Sequence, residues 1–99
     1  MNRSINSVFY NKDANQKLME LVKKSSLASA LFVHFTNLMN EDNEVCCSIT
    51  DIEIELTEKT KNIKKALGIL IEMNFIETKD LDNDKKIFLI NSDIIRKAL

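Results

Sequence analysis

The densest run of side chains with binding chemistry is Lys59-Thr60-Lys61-Asn62-Ile63-Lys64-Lys65. It holds four lysines and no acid, directly after Glu41 to Glu58, where Glu41, Asp42, Glu44, Asp51, Glu53, Glu55 and Glu58 meet no Lys or Arg. Ammonium groups and a threonine hydroxyl suit phosphate oxygens, which position a protein on DNA without reading sequence. An asparagine amide can pair with an adenine edge, although capping or packing accounts for Asn62 equally well. A lysine-rich helix face is often no more than a solvated surface, so its place in the fold has to decide. Lys79, Lys85 and Lys86 are further candidate contacts, but Asp80, Asp82 and Asp84 beside them would repel phosphate.

Other reactive types do not assemble into a site. His34, the single histidine, lies in the most apolar stretch and reads as a satisfied core or interface residue. Cys46 and Cys47 are adjacent, too strained a pair for an ordinary disulfide and wrongly spaced for zinc. They read as buried or half-buried strand thiols. Glu53 and Glu55 fall on different sides of a helix. With no nucleophile–base pair, no glycine-rich phosphate loop and no ligand set, the expectation is no enzyme, no cofactor and no metal.

The elements that must position the lysines follow from periodicity. Ninety-nine residues, 44% hydrophobic and 29% charged, fit one globular domain. Proline is absent and Gly68 is the one glycine, so Asn, Asp and Ser must make the turns of a mostly helical chain. Residues 1–12 read as an N-terminal arm with an apolar anchor at Val8-Phe9-Tyr10 that packs on a neighbour. Residues 13–39 read as two helices, one capped by Asp13 with Ala14, Leu18, Leu21 and Val22 on its stripe. The other, Leu27 to Met39, is capped by Ser25 or Ser26. It is apolar on most sides, and so either central or at a subunit interface.

Val45–Ser48 reads as a strand able to pair with a hairpin further along the chain. Ser48 caps the first helix of the 48–73 unit with Asp51 three residues on, and Ile49, Ile52 and Leu56 face inward. The alternation in Ile52-Glu-Ile-Glu-Leu56 would suit a strand too; the cap favours helix. In the next helix Ile63, Ala66, Leu67 and Leu70 recur at core spacing, leaving Lys59, Thr60, Lys61, Asn62, Lys64 and Lys65 outside. Asn74 can end it in a left-handed turn. A hairpin occupies 75–90, and a last short helix 92–98. The expected class is mainly α with a small antiparallel β-hairpin wing (α+β), in the order of a winged helix-turn-helix.

Asn62-Ile-Lys-Lys-Ala-Leu-Gly-Ile-Leu-Ile-Glu-Met-Asn-Phe-Ile76 resembles the recognition-helix-to-wing stretch of winged-helix bacterial regulators. Ser48-Ile-Thr-Asp-Ile52, Asn74-Phe-Ile76 and Ile90-Asn-Ser-Asp-Ile-Ile95 stand where plasmid replication proteins of the RepL type carry their own recurring motifs. The resemblance covers the C-terminal half and rests mainly on apolar spacing. It departs at Thr57, where the family has a turn glycine, and at Lys59, where it has a serine or threonine cap; Thr57 can cap instead, starting the helix early.

The resemblance implies a sequence-specific DNA-binding protein of plasmid or mobile-element type, acting in replication control, segregation or repression. Its partners would be double-stranded DNA with repeated or palindromic sites and a second copy of the chain, as a homodimer. The rivals are a MarR-like transcriptional regulator and a winged-helix protein-interaction module with a further protein partner. A formal net charge of −1 favours the latter. The absence of an apolar signal core or membrane-length run points to a cytoplasmic protein without membrane contact. The excess of lysine over arginine, with frequent Asn and Ile, suggests an AT-rich bacterial genome.

Overall fold

The computed structural model describes residues 8–81 and 85–97. Its four α-helices are α1 (Asn15–Lys24), α2 (Ser26–Leu38), α3 (Ile49–Leu56) and α4 (Thr60–Glu72). The strands are β1 (Val8–Tyr10), β2 (Glu44–Ser48), β3 (Ile76–Asp80), β4 (Lys85–Ile90) and β5 (Ile95–Lys97). The class is α+β, with a three-stranded antiparallel sheet in the order β2-β4-β3 and a separate antiparallel pair, β1-β5.

α2 is the centre. Ala28, Leu31, Phe32, Phe35 and Thr36 are buried along it, and it packs against both α1 and α4. Phe35 stacks on Phe88 of β4 with ring centroids 4.7 Å apart, and Phe32 meets Phe75 edge-on at 5.0 Å. Offset and edge-on contacts of this kind add about 1 kcal/mol each to the area they bury. Of the two roles a widely apolar helix can have, the central one holds within this chain; Val33 and Leu38 are left half-exposed.

Ser25 alone joins α1 to α2. Its extended backbone closes α1 through its N–H to the Leu21 carbonyl, while its hydroxyl accepts the Ala28 N–H at 3.0 Å. Ahead of α1, Asn11 rather than Asp13 does the capping. Its side chain accepts the Asp13 N–H and opens a 3-10 turn over Lys12–Ala14.

In the sheet, alternation turns Val45, Cys47, Phe88, Ile90 and Ile76 inward. β2 pairs with the hairpin strand β4 along its whole length, the pairing its sequence anticipates. With glycine absent from the turns, left-handed backbone falls on Asn43 (φ 60°), Thr57 (φ 50°) and Asn74 (φ 65°). Asparagine tolerates that region; a β-branched threonine does so at a cost of about 1 kcal/mol or more.

The C-terminal helix expected over 92–98 does not form. The same polar cluster makes a turn: the Asn91 side chain accepts the Asp93 N–H, and its carbonyl accepts those of Ile94 and Ile95. Both isoleucines are buried, and the chain then runs as β5 beside β1 (Phe9 opposite Arg96). A helix of one or two turns lacks the propagation to offset its nucleation, whereas β5 gains a ladder and two buried side chains. Ala98 lies outside the described residues. Val8–Tyr10 pairs with β5 of the same chain; residues 1–7 of the arm also lie outside.

A polar clasp holds this end together. Asn43, itself buried, donates through its amide to the carbonyls of Ile90 (3.1 Å) and Ile95 (2.8 Å), and its own carbonyl accepts the Ile90 N–H. Among the described residues no buried side-chain nitrogen or oxygen is left without a partner. None of the described helices is long and apolar enough to cross a membrane.

Candidate nucleic-acid interface

α4 buries Ile63, Ala66, Leu67 and Leu70, one stripe at helical spacing. Everything else in its first half is thereby turned out: Lys59, Thr60, Lys61, Asn62, Lys64 and Lys65 are all exposed. α3 approaches it after the capping box of Ser48 and Asp51, whose reciprocal bonds are each 3.1 Å. The bond from the Ser48 backbone N–H first, and then the Ser48 side chain, hold the Asp51 carboxyl below its usual range. The turn between the helices also settles which residue caps α4. Thr57, left-handed, closes α3, and Lys59 takes the N-cap position without any side-chain capping bond. Its carbonyl accepts the N–H groups of Asn62 and Ile63 at 3.0 Å.

Two carboxylates lie at the start of α4. Glu58 Oε1 accepts from Asn62 Nδ2 at 2.8 Å and from the Lys59 N–H at 3.2 Å. These bonds, the Asn62 one first, hold the Glu58 carboxyl below its ordinary range. Glu53, reaching across from α3, accepts the Thr60 hydroxyl. Thr60 and Asn62 are therefore partly engaged within the protein. Neither acid stands out in the sequence as a partner. Glu58 lies just ahead of α4, outside the helical spacing that would announce its contact with Asn62, and Glu53–Thr60 depends on the angle of the turn.

The lysines divide into three environments. The ion pair among the described residues is Lys86 with Asp80, at 2.5 Å, so Lys59, Lys61, Lys64 and Lys65 are not paired with carboxylates. Lys64 joins Lys85 and Lys86 in one cleft, walled by Ile49, Thr50 and Glu53 of α3, Thr60 of α4, and Asp80 and Leu81 of the hairpin. Lys79 is one residue before Asp80 in β3, and alternation turns it to the opposite face of the hairpin from the Lys86–Asp80 pair. The expected set of nine is thus a connected face on α4, a mixed-charge cleft holding Lys85 and Lys86, and an outlying Lys79. Asp82 and Asp84 lie outside the described residues.

His34 is half-buried, its ring centroid 6.4 Å from that of Phe35, and it lines a groove with Leu38, Ile52 and Ile54. The cysteines separate: Cys47 is buried and Cys46, expected to be at least half-buried, is exposed because alternation turns it to the open face of β2. Burial, then Asp51, pushes the Cys47 thiol up to about 11. No group of His, Cys, Asp and Glu able to hold a metal occurs among the described residues. The chain matches no family model, no curated protein and no solved structure.

Proposed function

We propose that this chain is a winged helix-turn-helix protein that binds double-stranded DNA, with α4 as the recognition helix and the β3–β4 hairpin as the wing. The observation that carries the reading is the unpaired lysine face of α4, exposed on the second of two helices joined by a tight turn and followed by a hairpin. That is the arrangement through which such proteins enter the major groove. Lys59, Lys61, Lys64 and Lys65 hold phosphates. The resemblance of the C-terminal half to plasmid replication proteins of the RepL type supports a role in replication control, segregation or repression on a mobile element.

Four lysines per subunit, with Glu53 and Glu58 beside them, give one copy only weak non-specific affinity, roughly 10⁻⁴ to 10⁻⁶ M. A specific complex therefore needs two linked subunits on half-sites about one helical turn apart. The apolar groove of Leu18, Leu21, Val22, Phe32 and Val33, with Val22 59% and Val33 50% exposed, supports a homodimer through α1 and α2. Titration of DNA carrying one half-site against DNA carrying several tests this. Cooperative retention on the repeated sites, falling strongly between about 50 and 200 mM salt, is expected. Equal affinity for both, or indifference to salt, rejects it.

The engagement of Thr60 and Asn62 by carboxylates, with a formal net charge of −1, favours a second reading, a winged helix that binds protein instead. Absence of DNA retention even at about 50 mM salt would be its signature in the same titration.

A further inference from the structure

Asn62 is exposed in the first turn of α4, where recognition helices place side chains that reach base edges. An asparagine amide has two faces of similar shape, and turned the wrong way it offers its donors and acceptor in the wrong places. Here the orientation is settled by chemistry. A carboxylate only accepts, so the edge facing Glu58 Oε1 at 2.8 Å must be the nitrogen. The same oxygen accepts the Lys59 backbone N–H at 3.2 Å, which ties the Glu58 side chain to the start of the helix. One hydrogen of the amide is engaged; Oδ1 and the second hydrogen remain.

Resting on the DNA-binding reading above, we infer that Glu58 is a positioning residue for base readout. It takes the Asn62 hydrogen that points away from Oδ1, so that Oδ1 and the remaining N–H face outward side by side. That pair matches the N6–H donor and N7 acceptor of adenine, and of the four bases adenine alone presents it in the major groove. Thr60 is conditioned in the same way: with its proton given to Glu53, it offers DNA only lone pairs. The two carboxylates also repel phosphate from the Thr60 and Asn62 side chains, leaving these to base edges while Lys59, Lys61, Lys64 and Lys65 take the backbone. The recognised half-site accordingly contains an A·T pair read by Asn62.

The test starts from duplexes enriched by the wild-type chain out of a random pool, with each base pair of the enriched site then substituted in turn. Asn62→Ala should flatten the preference at one A·T pair, a loss of about tenfold to a hundredfold in discrimination. Glu58→Ala should flatten the same position although Asn62 is intact. Glu58→Gln, whose side-chain oxygen still accepts from Asn62, should keep the preference and bind scrambled duplex a few times more tightly. Two results would overturn the inference and leave DNA binding standing: full preference in Glu58→Ala, or no position that responds to Asn62→Ala. Loss of preference in Glu58→Gln as well would assign the effect to charge and overturn it too. A wild-type chain that retains no duplex at 50 mM salt removes the DNA-binding reading and this inference together.

Discussion

Asn43 and Asn62 are the same side chain in opposite circumstances. Asn43 is buried at the meeting of β2, β4 and β5, and its amide nitrogen serves two carbonyls, those of Ile90 and Ile95. Asn62 is exposed on α4 and its nitrogen serves one partner, Glu58. A buried amide with both hydrogens engaged serves to hold the fold. An amide with one hydrogen and its oxygen outstanding, in water, costs little to leave so and can exchange solvent for a ligand. The difference separates a region built for stability from one available for binding.

The contrast breaks first at Asn43. Asn43→Ala strips two buried carbonyls of a donor and puts alanine at φ 60°, so stability should fall by about 3 kcal/mol. For a domain of this size that lowers the melting temperature by roughly 15 °C, readable by circular dichroism. DNA affinity of the fraction still folded should be unchanged.

Lys61→Glu with Lys64→Glu is the reverse case. Both are exposed and unpaired, so the melting temperature should move by no more than about 2 °C, since surface charges contribute little. Affinity should drop at least about tenfold on every duplex, with a shallower salt dependence, as phosphate contacts carry no sequence information. Retention of affinity in a filter-binding assay would move the contact surface away from α4.

Thr57 sharpens the comparison from the backbone side. It shares the left-handed conformation of Asn43 but closes an exposed turn. Thr57→Gly should therefore raise stability by about 1 kcal/mol in denaturant unfolding. Glycine at 43 would lower it, because there the side chain itself is needed. If both glycine variants shift the same way, the distinction between the two turns fails.

How far the chain could be read from its residues follows the same line. The stripe of Ile63, Ala66, Leu67 and Leu70, the Ser48–Asp51 box and the left-handed Asn74 are local, and each was legible from spacing alone. Ile54 explains why the first motif helix looked equally like a strand: it is an apolar residue left 71% exposed, completing an alternation that the fold does not use. The C-terminal turn is not legible locally, because Asn91-Ser92-Asp93 opens a turn or a helix with the same side chains. Long-range bonds decide between them, Asn43 to Ile95 across 52 residues and Asn11 to Asp93 across 82. At the candidate site the exposure of the lysines was legible. The engagement of Thr60 by Glu53 was not, since it depends on how Thr57 bends the chain.

The single residue between α1 and α2 sets a phase. Ser25 ends one helix and starts the next, so no slack separates the two repeats. One residue inserted in the first turn of α2 would advance the rest of that helix by about 100° about its own axis. Phe32 and Phe35 would swing away from Phe75 and Phe88, and Leu31 and the half-buried His34 would come round to their places. Ser25 supplies the capping hydroxyl, and the count of residues from it to Phe35 keeps both rings in phase with the core.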